Sequence, residues 1–352
     1  MLYLDANASE VPRPAALAAA RAALEVIGNP SSIHAAGRAA RRLREAAREA
    51  IAARFGVAPS EVVLTSGGTE ANALALHWLG RGRRLLAGAT EHAAVRSHPH
   101  LPIPVLPDGQ LDLEALAAML REGPPALVAA MAANNETGVL HPLAEIAALC
   151  RQHGALLHVD AVQAAGRVEI PPLWDSLAIS GHKLGGPLGA GALLLRPGLD
   201  LAPLIAGGGQ ERGRRGGTEP LPAIAGLGAA WPEPGEARRL AALRDAIEAG
   251  LPEGVRVAGA GAPRLANTSC LILPGVSAER QLLILDQLGV CVSAGAACSS
   301  GKLARSHVLE AMGLGEEAGC AIRISLPWNA PADTAERFLA AYALMLQRLR
   351  RR

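Results

Sequence analysis

The chain has 352 residues, half of them hydrophobic and only 2% aromatic, and a formal net charge of +2. Acids and bases are mixed along it, which excludes the basic footprint of a nucleic-acid binder, and no apolar run is long enough to span a membrane. The length suits one large domain plus a smaller one, packed on Ala and Leu rather than on rings.

The opening "MLYLDANASE" lacks the basic and apolar regions of a secretion signal. A cytoplasmic enzyme with reduced thiols is therefore expected. "GRAARRLREAAREAIAARFG" predicts an amphipathic helix ending at Gly56. "EVVLTS" reads as a strand and "TEANALALHWL" as the helix after it. "RRLLAGA" is a strand, and "LDLEALAAML" is a helix that Asp112 caps. "ALVAAMA", "ALLHVDA", "SLAIS" and "GALLL" are further apolar runs of strand length. Buried strands alternating with helices predict an α/β fold with a mainly parallel sheet covered on both faces.

Pro and Gly in "WPEPGEARR", residues 231–239, mark a boundary. A helix, the strand "TSCLILP", the helix "AERQLLILDQL", the segment "GVCVSAGAACSSGK" and the strand "CAIRISLPW" follow, in the pattern of a smaller α+β domain. The expected division is 13–236 for the large domain and 1–12 plus 237–352 for the small one. The terminal "RLRRR" reads as a solvated helix end. The five cysteines, Cys150, Cys270, Cys291, Cys298 and Cys320, include no CxxC pair that suggests zinc or a redox couple.

The polar residues of interest follow strands, where open parallel sheets bind ligands. Ser66-Gly67-Gly68-Thr69 joins a strand to a helix, so backbone amides and a helix N-terminus there suit a phosphate, although such a turn is also often only a turn. Asp160 ends a buried strand, where a carboxylate needs a partner; a protonated pyridine nitrogen is one, and a turn cap is the alternative. Gln163 lies three residues on, Asn134-Asn135-Glu136 follows another strand, and His92 follows a third.

Lys183, in "SGHKLGGPLG", adds a distinct signal. Lys and Arg total 34, and only Lys183 and Lys302 are lysines. Arginine stays protonated, whereas a desolvated lysine can become a neutral amine and form a Schiff base with a carbonyl. A phosphate site, a carboxylate for a pyridinium, a flat histidine and a reactive lysine together describe a site for pyridoxal 5'-phosphate.

At this point the chain resembles the NifS/IscS-like cysteine desulfurases. The resemblance runs in order through "YLDANAS", "GNPSSIHAAGR", "LTSGGTEANALAL", "TEH", "NNETG", "HVDAVQ", "SGHKLGGPLGAGAL", "GGGQERGRRGGT", "SAGAACSSG" and "IRISL". It implies that Lys183 binds the cofactor and moves the substrate Cα proton. Asp160 would pair with the ring nitrogen, Gln163 with the ring hydroxyl, and His92 would stack on the ring. Gly68, Thr69, Ser180 and His182 would hold the phosphate, joined by Thr218 from the second subunit of a homodimer. Asn135 would lie near cofactor and substrate, and Arg323 would grip the carboxylate of L-cysteine. Cys298 would be the nucleophile that takes the sulfur as a persulfide and passes it to an acceptor protein, an iron–sulfur scaffold or a thiolation partner. No resident metal is implied, although Cys298 could hold an iron–sulfur cluster transiently during transfer.

The sequence departs from the family pattern in three places. "DANAS" replaces the usual Asn/Tyr-x-Ala-Thr-Thr type of segment, Gln210 stands where His is common, and Ala296 where Ser is frequent. None removes a group the chemistry requires. Two other readings remain: a selenocysteine lyase or another fold-type-I enzyme, and an inactive relative serving as a sulfur-transfer partner. Retention of both Lys183 and Cys298 argues against the second.

Overall fold

The computed structural model describes residues 1–123, 125–295 and 305–350. In chain order it begins with β1 (Leu2–Tyr3), α1 (Pro14–Leu24), α2 (Ala35–Phe55), β2 (Val62–Thr65), α3 (Gly68–Leu79), β3 (Arg84–Gly88), α4 (Ala93–Arg96) and β4 (Leu101–Ile103). Next come α5 (Leu113–Arg121), β5 (Ala126–Met131), α6 (Leu143–Gln152), β6 (Leu156–Asp160), β7 (Ser176–Ser180), β8 (Gly191–Leu195) and α7 (Leu221–Gly228). The remainder is α8 (Glu236–Ala249), β9 (Arg256–Val257), β10 (Thr268–Ile272), α9 (Ala278–Gln287), β11 (Val290–Cys291), β12 (Ser293–Ala294), α10 (His307–Ala311), β13 (Ala321–Ser325) and α11 (Thr334–Arg350).

Seven strands form the main sheet, in the order β2-β8-β7-β6-β5-β3-β4. The run from β7 through β4 is parallel, as the apolar strands predict, while β8 is antiparallel to both β7 and β2. Because β8 reverses twice, β2 points the same way as β7, and the carboxyl ends of β2, β3, β5, β6 and β7 all open on one edge. The strands are buried on both faces: Val62, Leu64, Val128 and Ile179 enter one core, and Val63, Leu127, Ala129 and Ala178 the other. That two-sided burial explains why they read as continuous apolar runs rather than alternating ones.

A second sheet, β12-β13-β10-β9, is antiparallel. Its core joins Leu2 and Leu4 to residues of α8, α9 and α11, with Phe338 and Tyr342 fully buried. β1 pairs in parallel with β11, which ties the amino terminus to this second layer.

The helix ends follow from local chemistry. Asp112 accepts hydrogen bonds from the Glu114 and Ala115 amides, as expected of the cap of α5. α2 starts two residues before the expected segment because His34 Nδ1 accepts from the Gly37 amide, and it ends at Gly56, whose φ of +65° costs glycine little.

The segment 205–219 is held by ion pairs rather than by apolar packing. Glu211 and Arg212 both have left-handed backbones, φ 48° and 58°, at a cost of roughly 1–2 kcal/mol each. Glu211 offsets that cost through a buried bidentate pair with Arg48, at 2.6 and 2.7 Å, and by accepting from the Leu64 amide at 2.8 Å. Arg44–Glu219 and Arg215–Glu70 fasten the same segment at 2.6 and 2.8 Å. Replacing Glu211 by Ala leaves Arg48 buried without this partner, so Glu211→Ala is expected to lower unfolding stability by about 3–5 kcal/mol. Urea unfolding measures this, and a loss below about 1 kcal/mol would contradict the assignment.

Candidate active site

The common edge of the main sheet explains how residues far apart in sequence meet. Ser66–Thr69 follow β2, His92 follows β3, Asn135 follows β5, Asp160 closes β6, and Ser180 closes β7 just before Lys183. Together they line one cleft of about 680 Å³. Gly68, Thr69, His92, Asn135, Asp160, Gln163, Ser180, His182, Lys183 and Arg323 all reach it. Thr218 does not line it and stands exposed. Cys298 and Ala296 lie outside the described residues.

α3 begins directly after β2. Helix geometry leaves its first-turn amides without intrahelical partners. A Cβ at Gly68 would come within 2.5 Å of Val162 Cγ2, so only glycine lets the turn close against the residues after β6. Ser180 and His182 bring a hydroxyl and a ring to the same cleft. The His182 ring faces Ser9 Oγ at 3.3 Å, and burial, with Lys183 adding repulsion, pushes its pKa down to about 4. It is therefore neutral at pH 7.

Asp160 sits at the floor. Its Oδ1 accepts from the Val162 amide at 2.9 Å and its Oδ2 from Asn72 Nδ2 at 2.7 Å. Burial pushes the carboxyl up from its ordinary range, while these two donors, and the attraction of Lys183 and of His92 when it is protonated, pull it back. Glu91, fully enclosed nearby, accepts from the Met131 amide at 2.5 Å. Burial first, then the proximity of Asp160, raises it well above the ordinary range, so Glu91 is the neutral member of the two acids.

Lys183 Nζ donates to the carbonyls of Asn7, at 2.6 Å, and Ala8, at 3.0 Å. Its pKa is pushed down to about 8 by burial and then by the Arg323 and Arg167 cations, against the pull of Asp5 and Asp160. The amine is thus within reach of its neutral, nucleophilic form. His92 caps α4, its Nδ1 accepting from the Ala94 amide at 3.1 Å, which leaves the proton on Nε2. Partial desolvation lowers its pKa, Asp160 opposes this, and Lys183 adds to it. Arg323, on β13, donates to Asp5 Oδ1 at 2.6 Å and to the Asn135 carbonyl at 3.1 Å. The smaller sheet therefore supplies a guanidinium to the edge of the larger one.

Asn7, in the cleft wall, and Arg167, next to it, were not singled out by their sequence signal, whereas Glu136 belongs to the polar cluster expected after β5. Asn7 joins the layers: its amide donates to Thr268 Oγ1 and the Asn135 carbonyl, and its own carbonyl accepts from Lys183 and from Gln163 Nε2. Arg167 donates to Gln163 Oε1 at 2.7 Å, Asn7 Oδ1 at 3.0 Å and the Lys183 carbonyl at 3.2 Å. Glu136 Oε2 accepts from Ser306 Oγ at 2.5 Å. One available signal was the four-residue spacing of Gln163 and Arg167; nothing local marks Asn7, whose partners lie more than a hundred residues away. Cys150 and Cys270 are buried, with thiol pKa values pushed up to about 12 by that burial, as expected of inert core cysteines. No disulfide joins the described cysteines, and no helix of the described residues is long and apolar enough to cross a membrane.

The donor set fits a phosphorylated pyridine aldehyde. First-turn amides and hydroxyls suit its phosphate, the Asp160 carboxylate suits a protonated ring nitrogen, and an amine of lowered pKa suits the carbonyl. Fold and cleft are those of a fold-type-I pyridoxal-phosphate enzyme. Comparison with known proteins agrees: the family model "Aminotransferase class-V" matches residues 2–338. A cysteine desulfurase of Cereibacter sphaeroides is 42% identical, covering 99% of this chain and 96% of its own. The NifS-like protein of Rickettsia africae ESF-5 superposes with a TM-score of 0.92 at 33% identity, over 99% of both chains. A second structure, "SspA in complex with cysteine", gives a TM-score of 0.81 at 29% identity, over 93% of this chain and 99% of that one. The chain belongs to the class-V aminotransferase family, among its NifS/IscS-like cysteine desulfurases, and its cofactor is pyridoxal 5'-phosphate.

The lowered Lys183 pKa has a pH signature. Below about 8 the amine is protonated and cannot attack; above it the neutral fraction saturates. In the apoprotein, the rate of Lys183 modification by a carbonyl reagent is expected to rise about tenfold per pH unit up to about 8 and then level off. Site-resolved mass spectrometry across pH measures this, and a rise continuing past pH 10 would contradict the perturbed environment.

Proposed function

We propose that the cleft converts L-cysteine to L-alanine and passes the sulfur to Cys298 as a persulfide. The observation that carries this reading is the lowered-pKa Lys183 in one cleft with Asp160 and Arg323. Gly68, Thr69, Ser180 and His182 hold the phosphate, Asp160 pairs with the ring nitrogen, and Gln163 reaches the ring hydroxyl with an amide proton. The His92 ring, in the cleft wall, would pack on the cofactor ring. Bound there, the cofactor supplies an electron sink for charge that develops at the substrate Cα.

Lys183 would hold the cofactor through Nζ, and its neutral amine is the base for the Cα proton. Arg323 presents its guanidinium to the substrate carboxylate, in competition with Asp5, and Asn135 orients the same end. The Cys298 thiolate attacks the substrate sulfur. A sulfur–sulfur bond forms, the Cβ–S bond breaks with its electron pair left on carbon, Cβ takes a proton from solvent, and return of the proton held by Lys183 to Cα completes alanine. No external oxidant is needed to form the persulfide.

The proposal extends to the assembly. Residues 13–236 serve as the cofactor-binding domain, and 1–12 with 237–352 as the small domain. Thr218 completes the phosphate site of a second copy in a homodimer. Supporting this are the exposure of Thr218, the ion-paired anchorage of its segment, and apolar Ile27, Ile33 and Leu188 at 86%, 86% and 74% exposure. The persulfide is delivered in the cytoplasm to an iron–sulfur scaffold or a thiolation partner.

Alanine and sulfide release from L-cysteine, with reductant present, tests the chemistry. The native protein is expected to release both, and Cys298→Ala to lose at least a hundredfold, since an unactivated alternative nucleophile must then act. Equal alanine release by both proteins would remove Cys298 as nucleophile and favour a selenocysteine-lyase-like elimination. Release by neither would favour the inactive relative.

A further inference from the structure

His158 and Asn72 belong to the motifs "HVDAVQ" and "TEANALAL", and the mechanism above gives neither a role, although Asn72 lines the cleft beside Asp160. His158 is two residues before Asp160 on β6, so both side chains leave the same face of the strand. It is fully buried, as is Ser176 on β7, and Asn72 on α3 is 1% exposed. Ser176 Oγ lies 2.8 Å from His158 Nδ1, His158 Nε2 lies 2.8 Å from Asn72 Oδ1, and Asn72 Nδ2 lies 2.7 Å from Asp160 Oδ2.

The chemistry of these groups fixes the direction of every proton. An ionised Asp160 can only accept, so Asn72 must turn its amide nitrogen to it and its oxygen to His158. That oxygen can only accept, so His158 Nε2 carries the ring proton. A neutral imidazole then accepts at Nδ1, and the Ser176 hydroxyl donates to it. Burial pushes the His158 pKa down to about 3, in keeping with a neutral ring.

We propose that Ser176, His158 and Asn72 are positioning residues, a one-way chain of donors that keeps Asp160 ionised and leaves its free lone pairs aimed at the cleft. The inference rests on the reading of Asp160 as the partner of the ring nitrogen. Asp160 also faces Glu91 from the turn after β3, His92 at the start of α4 and Lys183 after β7. Glu91 is the neutral acid of the two, and positive charge at His92 or Lys183 favours ionisation of Asp160, so the chain reinforces that side. Without it, the buried carboxylate retains the Val162 amide on Oδ1 and a weakened donor on Oδ2.

The test compares His158→Leu, which removes the donor to Asn72, with His158→Gln, which restores one. In the holoenzyme, His158→Leu is expected to lower kcat about tenfold with the KM for L-cysteine within about twofold. Its visible cofactor band should titrate about half a pH unit or more higher, because a less protonated ring withdraws less charge. His158→Gln should recover most of both. Nitrogen-15 NMR of the native protein should show His158 protonated at Nε2 and not at Nδ1, the signal identified by its loss in His158→Gln. This measurement decides even where His158→Leu fails to fold. A native titration and native kcat in His158→Leu, or an Nδ1-protonated His158, would overturn the chain. A native titration in Asp160→Ala would instead overturn the reading of Asp160 on which the chain rests.

Discussion

The cleft depends on keeping a lysine amine and an aspartate carboxylate in one wall without letting them neutralise each other. A direct pair would fix the ammonium and raise its pKa. The structure avoids this by giving each its own partners. Lys183 donates to two backbone carbonyls of residues 7 and 8, while Asp160 is filled from behind by the Val162 and Asn72 amides. Arg323 and Arg167 then bias the lysine toward its neutral form. Cations near the lysine and donors near the carboxylate are the two requirements.

This division explains why the amino-terminal segment crosses between the two sheets. Asn7 is held by Thr268 of β10, by the Asn135 carbonyl and by the Arg167 side chain, so its own carbonyl is a fixed acceptor for Lys183. Asp5 pairs with Arg323 and accepts from Ser293 Oγ on β12. The smaller sheet therefore reaches the chemistry through residues 5–8 as well as through Arg323. A change in this segment shifts both the lysine and the arginine, which gives the unusual "DANAS" a direct route to the substrate end of the cleft.

Much of this was legible in the sequence. The strands β2, β3, β5, β6, β7 and β8 are short apolar runs, and two-sided burial makes such runs conspicuous. The residues that follow the parallel strands were legible because topology carries strand ends to a common edge. The antiparallel insertion of β8 was not, since a buried strand reads the same in either direction. Asn7 and Arg167 were hidden for another reason: their importance comes from partners brought together by the fold, such as Asn7 with Thr268, 261 residues apart. His158 and Asn72 looked like ordinary members of an apolar strand and an amphipathic helix, and only their stacking behind Asp160 distinguishes them.

The central claim is that Lys183 is the residue that holds the cofactor. Two lysines in the whole chain make it directly testable. Borohydride reduction of the holoenzyme, followed by peptide mass spectrometry, should find the pyridoxyl mass on the peptide containing Lys183 and only there. The modification on Lys302, or a cofactor that washes away entirely after reduction, would contradict the account.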